Sequence, residues 1–216
     1  MKNIRTQTID TIDQIKGLVD WLVVHHTLPT PFSPTMYIDL EGVSLSRLGS
    51  VSILTLFLRV DGPISPIFLI DVHTLGSQAF ETAGTKEKTL RDVLQDKEIP
   101  KVFFDVRNDS DALFAHFGVA LQGVEDVQLM ESATRKTTAS RKRVAGLTSC
   151  IEDNASTCFG GSGLVSWKQA KENGSRLFKT ELGGSYEVFN QRPIPDDVVS
   201  YCVGDVQCLP ELRDQF

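Results

Sequence analysis

The chain has 216 residues, 41% of them hydrophobic and 23% charged, which is the composition of an ordinary folded globular protein. Its formal net charge of −6 argues against a surface that is basic all over. No apolar run reaches the roughly 18 residues of a membrane-spanning helix, and the polar N-terminus lacks a signal peptide, so we expect an intracellular protein, nuclear or cytoplasmic, without a membrane partner.

The first part of the chain predicts strands around one helix. A short strand is predicted over 4–9, and apolar residues at helical spacing predict a helix up to residue 26, capped by Thr11 or Asp10. A proline-rich loop, "TLPTPFSPT", ends it. Three runs rich in branched and aromatic residues follow, separated by "RLGS" and by the turn "DGP", and they predict a three-stranded antiparallel meander: 36–40, 51–60 and 66–72.

The second part alternates strands and helices. The predicted elements, in order, are a helix over 88–96, a buried strand over 101–106, a helix over 108–118 ended by Gly118, a strand over 124–130, and a last helix over 194–216 with Pro195 in its first turn. Strands first and alternation later indicate a mixed α/β sheet covered by helices. Because neither an internal repeat nor a convincing linker is present, we interpret 1–216 as a single domain.

Acidic residues recur at notable places on these elements. Asp39 and Glu41 interrupt the apolar run "MYIDLEG" on alternate residues, so they point to the same face of their strand. Two unpaired carboxylates on one face repel each other and resist desolvation, which predicts a positive partner between them. Asp109 lies near the start of the helix over 108–118, and Asp205 lies one turn after Tyr201 on the last helix.

Carboxylates with a phenol, and without histidine or cysteine ligands, suit hard cations such as Mg²⁺ or Mn²⁺. Two such ions about 4 Å apart stabilise both the attacking and the leaving oxygen in phosphodiester hydrolysis. An Asp-x-Glu pair alone is weak support, because a polar edge strand would show the same pattern.

The order of the motifs adds to this. "YIDLEG", "KVFFDVRNDSDALFAHFG" and "YCVGD" resemble, in sequence order, the three motifs of the DEDDy 3′–5′ exonucleases, the ribonuclease D-like family, whose last motif is Tyr-x-x-x-Asp. "DVQL" and "QRPIP" resemble two further segments of that family, and the glycine after Glu41 is closer to its Egalitarian-like subgroup. The resemblance implies a ribonuclease H-like α/β fold, in which the meander is joined to parallel strands and helices flank the sheet.

The resemblance also implies roles. The implied ligands of two Mg²⁺ or Mn²⁺ ions are Asp39, Glu41, Asp109 and Asp205, and Tyr201 would orient the attacking water. The implied reaction removes nucleoside 5′-monophosphates from the 3′ end of single-stranded nucleic acid, with RNA somewhat preferred. Since some members of the subgroup are catalytically degenerate, the alternative is a silent RNA-binding adaptor in an RNA silencing or transport complex. The complete set of acids favours the enzyme, and protein partners stay unknown.

Three aspartates compete for the second motif. Asp109 lies four residues before Leu113 and eight before Phe117, so it shares the helix face expected to meet the sheet. Asp111 lies about 200° around the helix from it and is predicted to point to solvent. Asp105 ends the preceding strand and is predicted to be a turn or capping acceptor, which makes it the second choice.

Two basic stretches are candidates for contacting substrate. The segment Thr134 to Arg143 holds five basic residues, from which we select Arg141, Lys142 and Arg143, although a solvated loop is an equal alternative. A second stretch contains Lys168, Lys171, Arg176 and Lys179 around two aromatic residues, Trp167 and Phe178, which are predicted to pack in the core rather than stack on bases. Four cysteines without zinc spacing are expected to be reduced thiols.

Overall fold

The structure, a computed structural model, describes residues 3–27, 34–60, 64–160 and 163–216. The strands of these residues are β1 (Asn3–Ile9), β2 (Thr35–Glu41), β3 (Ile53–Arg59), β4 (Ile64–Asp71), β5 (Lys101–Phe103) and β6 (Val124–Asp126). The helices are α1 (Ile12–His26), α2 (Val72–Leu75), α3 (Gln78–Glu81), α4 (Leu90–Gln95), α5 (Arg107–Phe117), α6 (Val127–Thr134), α7 (Leu147–Asp153), α8 (Ala155–Phe159), α9 (Gly163–Phe178), α10 (Asp196–Val206) and α11 (Leu209–Gln215).

All six strands form one mixed sheet in the order β1-β4-β3-β2-β5-β6. Strands β2, β3 and β4 pair antiparallel, which confirms the predicted meander. Strand β1 pairs parallel with β4, and β5 and β6 extend the other side in parallel from β2. The fold class expected from the sequence is therefore confirmed.

The two faces of the sheet bury two separate hydrophobic clusters, and β2 contributes to both. Its Met36, Ile38 and Leu40 side chains join the cluster covered by α1, α3, α4 and α5. Tyr37 points to the opposite face, into the cluster formed with α9, α10 and α11. Because side chains alternate along a strand, Asp39 and Glu41 lie on the Tyr37 face, toward α10.

Several expectations for the second part differ from the structure, beginning with the strand predicted over 101–106, which ends at Phe103. The run 124–130, predicted as one strand, is a three-residue strand followed by α6, because the Asp126 carboxylate accepts the Gln128 N–H and caps a helix there. The last helix, predicted as continuous, ends at Val206 and resumes at Leu209, with Pro210 in the first turn of α11. Pro195 is the N-cap of α10 rather than part of its first turn.

Other local expectations have mixed outcomes. Thr11 caps α1 in a reciprocal pair with Gln14, and Gly118 ends α5 with φ +64°. The turn predicted at 61–63 and most of the proline-rich loop lie outside the described residues. The four cysteines are free thiols. Among the helices of the described ranges, none has both the length and the apolar character to cross a bilayer.

Candidate active site

Strand β2 supplies two carboxylates to the sheet face that α10 covers. Asp39 pairs across the antiparallel ladder with Thr55 and Glu41 with Ile53, so both side chains leave the strand on the same side. The Asp39 Oδ2 atom is buried without a hydrogen-bond partner among the described residues. An unpartnered buried carboxylate oxygen is costly, and a bound cation removes that cost.

Helix α5 brings Asp109 to the same place. The chain turns at the end of β5 through Asp105, whose φ of +66° lies in the left-handed region that aspartate tolerates better than most residues. The Asp126 carboxylate holds this turn by accepting the N–H groups of Asp105 and Val106 at 3.0 and 3.2 Å. Asp109, in the first turn of α5, then accepts the Leu40 N–H at 3.2 Å, between the two acids of β2.

Helix α10 supplies Tyr201 and Asp205, which are one turn apart on its buried side. The segment before this helix is fastened by Arg192, which donates to both carboxylate oxygens of Asp71 at the end of β4, each at 2.5 Å. That bidentate pair has the fork geometry of the stronger ion pairs. Helix α10 therefore rests on β2 and β3 in a fixed position.

Three of the four predicted ligands converge. Carboxylate oxygens of Asp39, Glu41 and Asp205 lie within 4.8 Å of one another. Asp109 is outside that group of three, but its charge still raises the pKa of both Asp39 and Glu41. The structure thus places Asp109 beside the cluster, tied to the backbone of β2.

Burial and crowding set the protonation of these acids. Burial, and then the charges of the neighbouring acids, raise the pKa of Asp39 and Glu41 well above the usual range. Burial raises the pKa of Asp109 to about 7, against two backbone hydrogen bonds that lower it. Burial also raises the pKa of Asp205, while the Lys171 ammonium lowers it. Four carboxylates so disposed favour binding positive charge.

Lys171, on α9, also lies in the site. The sequence did not predict its position there. Its ammonium forms an ion pair with Asp205 Oδ1 and lies 3.8 Å from the centroid of the Tyr201 ring. Nothing in the spacing of residues 171 and 205 predicts this contact, because they belong to different helices. The sequence placed Lys171 only among the four cations of the second basic stretch.

The Tyr201 phenol is deeply placed between α9 and α10. The side chain is 9% exposed, and its ring packs edge-on against Phe178 at 5.2 Å. Burial, followed by the charges of Asp205, Glu41 and Asp39, raises the pKa of the phenol. The hydroxyl is therefore protonated at neutral pH and can donate a hydrogen bond.

The other two aspartates of the second motif are occupied elsewhere. Asp105 accepts two hydrogen bonds from the Arg107 guanidinium, at 2.5 and 2.7 Å, and these, together with a backbone hydrogen bond from Arg107, lower the pKa of its carboxyl. This agrees with the predicted turn acceptor. Asp111, predicted to point to solvent, instead receives the guanidinium and the backbone N–H of Arg47. Together with a 2.9 Å contact from His116 Nε2 to Ser46 O, this pair attaches the loop after β2 to α5.

The three basic residues selected near position 140, Arg141, Lys142 and Arg143, differ in the contacts and exposure of their side chains. Arg141 donates to the carbonyl oxygens of Arg135 and Ala133, so its guanidinium braces the loop. Lys142 and Arg143 are exposed. The aromatic residues of the second stretch are core, as predicted: Trp167 is 3% exposed and donates to Gly204 O, and Phe178 is 8% exposed.

That second stretch lines a groove, here called the α9 groove, of about 420 Å³ that also contains Tyr201. Its lining includes four cations and one carboxylate, which are Lys168, Lys171, Arg176, Lys179 and Glu172. A positively charged groove thus adjoins the acidic cluster in a protein whose net charge is −6. The two share Lys171.

The donor set fits hard divalent cations. Carboxylate oxygens are the ligands of Mg²⁺ and Mn²⁺, and neither a histidine nor a cysteine belongs to the group that converges here. Asp39 Oδ2, which has no hydrogen-bond partner among the described residues, is available as a ligand atom.

Comparison with known proteins gives consistent results. The family model for the 3′–5′ exonuclease domain matches residues 9–216. No curated protein matches the sequence. The structure of Trypanosoma brucei RNase D in complex with GMP superposes with a TM-score of 0.72 and 26% identity, covering 97% of this chain and 56% of that one. The structure of the same enzyme in complex with RNA U12 superposes with a TM-score of 0.70 at 25% identity, covering 99% of this chain and 62% of that one.

A more distant similarity concerns the fold alone. Escherichia coli RNase D has a TM-score of 0.61 at 18% identity, covering 98% of this chain and 44% of that one. The chain therefore spans about half to three fifths of the length of these structures. Since the family model covers nearly the whole chain, the chain belongs to the 3′–5′ exonuclease family, on its ribonuclease D-like branch.

Proposed function

We propose that this protein is a divalent-metal-dependent 3′–5′ exonuclease that shortens single-stranded nucleic acid, with RNA somewhat preferred, and releases nucleoside 5′-monophosphates. The observation that supports this most directly is the convergence of carboxylate oxygens of Asp39, Glu41 and Asp205 within 4.8 Å, with one Asp39 oxygen buried and lacking a hydrogen-bond partner in the described ranges. The RNA bound to the Trypanosoma brucei structure supports RNA as the substrate class.

In this proposal each residue of the site has a separate task. Asp39, Glu41 and Asp205 would hold two Mg²⁺ or Mn²⁺ ions together with Asp109, whose carboxylate accepts the Leu40 N–H. The bound ions supply a lowered pKa for the attacking water and offset the charge on the phosphate oxygens. Tyr201 orients that water by donating from its hydroxyl, which burial keeps protonated.

The α9 groove is the proposed path of the substrate backbone. Its cations lie on α9 and directly after its end, and the groove reaches Tyr201, so phosphates that follow the cations lead to the acidic cluster. Lys179 ends this row and forms no ion pair within the described residues. Lys142 and Arg143 are proposed as additional, peripheral contacts, and Arg141 only as the brace of their loop.

The test is a cleavage assay on 5′-labelled single-stranded RNA and DNA with Mg²⁺ or Mn²⁺, with EDTA as the metal control. We expect a ladder of labelled products that shorten from the 3′ end and a matching release of nucleoside 5′-monophosphates. Asp39→Ala should abolish shortening because it removes the unpartnered ligand, and should leave the metal-free protein at least as stable because repulsion in the cluster falls.

Substrate binding can be tested separately in the Asp39→Ala background. Adding Lys179→Gln should weaken RNA binding and reduce the salt slope of log K by about 1, as expected for one lost phosphate contact. Lys16→Gln is the matched control, because Lys16 lies on α1, which covers the opposite face of the sheet. An intact wild type that binds RNA without shortening it would refute the exonuclease and favour the adaptor.

A further inference from the structure

Lys171 differs from the other cations of α9 in its partner. Lys168 pairs with Glu152 and Arg176 with Glu172, each at 2.6 Å, and both of these carboxylates are outside the acidic cluster. Lys171 pairs with Asp205, a proposed metal ligand, and its side chain is 20% exposed. Of the cations in the described part of α9, it alone reaches the acids.

The contact is electrostatically substantial. Asp205 is 5% exposed, so its attraction to the ammonium is weakly screened by solvent. The Lys171 charge also lowers the pKa of Asp39 and of Glu41, which shows that it lies close to the cluster as a whole. One positive charge therefore partly compensates three carboxylates, those of Asp39, Glu41 and Asp205.

Position and charge together make Lys171 a competitor of the metals. We propose that Lys171 is the resident counter-ion of the metal-free site, and that a divalent ion can load only by displacing its ammonium from Asp205. This rests on the metal site of the proposed function. Because Lys171 also lines the α9 groove, the displaced ammonium faces the proposed path of the phosphates.

The physical argument is that the ammonium of Lys171 and a divalent ion on the same carboxylate repel each other, and that the ammonium occupies an oxygen of Asp205 that the ion would use. The ammonium is a monovalent point charge on a flexible stem, whereas the divalent ion contacts several carboxylates at once. Replacing the ammonium by a divalent ion therefore requires breaking the Lys171–Asp205 ion pair. The free energy needed to break it lowers the apparent metal affinity of the wild type.

The test measures Mn²⁺ binding itself, by calorimetry or by the electron paramagnetic resonance of free Mn²⁺, on the full chain stripped with EDTA and without nucleic acid. Lys171→Met keeps an apolar stem over the Tyr201 ring and removes the charge. We expect Mn²⁺ affinity to rise about tenfold or more, the equivalent of one hydrogen bond between charged groups. Lys168→Met, on the same helix, should stay within about twofold of wild type.

A second variant that keeps the positive charge tests the proposal even if Lys171→Met does not fold without metal. Lys171→Arg keeps a cation on Asp205 and can grip the carboxylate with two donors, so Mn²⁺ should bind it no more tightly than wild type. In thermal unfolding, saturating Mn²⁺ should raise the Tm of Lys171→Met more than that of wild type.

The outcomes separate the two proposals. Unchanged or weaker Mn²⁺ binding by Lys171→Met, or tighter binding by Lys171→Arg, overturns the counter-ion role and leaves the exonuclease proposal intact. A wild type that binds no Mn²⁺ overturns both. Tighter binding by Lys168→Met to the same degree as Lys171→Met would mean a general charge effect and would also overturn the specific role.

Discussion

Helices α9 and α10 pack closely at Gly174, and adding one methyl group there tests the packing that places Tyr201. A Cβ atom at Gly174 would lie 2.5 Å from Tyr201 Cβ, 2.7 Å from Cδ2 and 2.8 Å from Cγ. Ordinary carbon contacts are at about 3.5–4.0 Å, so Gly174→Ala must separate α9 from α10 locally by about 1 Å.

The free-energy cost of overpacking at Gly174 can be separated from helix propensity, because Gly17 provides a matched control. Overpacking of this kind costs about 1–3 kcal/mol, whereas alanine gains up to about 1 kcal/mol over glycine in helix propensity. Gly17, in the interior of α1, is exposed and has nothing within 4 Å of its hypothetical Cβ. Gly17→Ala should therefore stabilise the protein by about the propensity term alone, and the difference between the two variants is the packing cost.

The assays are urea unfolding of the EDTA-treated proteins and RNA shortening in Mn²⁺. We expect Gly174→Ala to be less stable than Gly17→Ala by about 1–3 kcal/mol, and to be slower by up to about 10² because the hydroxyl of Tyr201 is misplaced. If Gly174→Ala gains as much stability as Gly17→Ala and retains full activity, the helices are not in such close contact and the reasoning fails.

Smaller changes within the acidic site have their own expected results. Tyr201→Phe should slow shortening by on the order of 10² with little change in Mn²⁺ affinity, and a lost affinity with unchanged saturated turnover would contradict the assigned role. Among Asp→Asn variants assayed at saturating Mn²⁺, the rate of shortening should fall most for Asp109→Asn and less for Asp105→Asn, and should stay near wild type for Asp111→Asn. An equal loss of rate in Asp111→Asn and Asp109→Asn would refute the helix register. Because burial raises the pKa of Asp109 to about 7, the folded metal-free protein keeps a proton that the unfolded chain loses near pH 4, so stability falls as pH rises between those values. Asp109 alone should lower the free energy of unfolding by roughly 4 kcal/mol over this pH interval. In EDTA, the free energy of unfolding of Asp109→Asn should therefore fall less steeply with pH than that of the wild type. An unchanged slope would contradict the raised pKa.

Much of the fold could be predicted because the relevant signals are local. The apolar runs of the meander and the helical spacing of α1 and α5 depend on residues within one element, and the structure confirms them. The run 124–130 was misread because its apolar residues fit either period, and the deciding contact is the Asp126 cap. The break between α10 and α11 had a visible sign in Pro210, which suits a helix start better than an interior.

The site was predictable in its acids but not in its cations. Asp39 and Glu41 share a face by strand geometry alone, and the motif order supplied the remaining acids. The ion pair of Lys171 with Asp205 depends on how α9 crosses α10, which a single sequence does not specify. The attachment of Arg47 to Asp111 likewise joins two elements 64 residues apart, so an aspartate on the outer side of α5 was read as solvated.

The wide spacing of the acids along the chain has a consequence during synthesis. Asp205 follows Asp109 by 96 residues, and α10 must pack on β2 and β3 before the third carboxylate joins the other two. At the roughly 5–20 residues per second of translation, about 5–20 seconds pass between the two aspartates. Throughout that interval the nascent chain lacks Asp205 and Tyr201, so the acidic cluster is incomplete until synthesis is nearly finished.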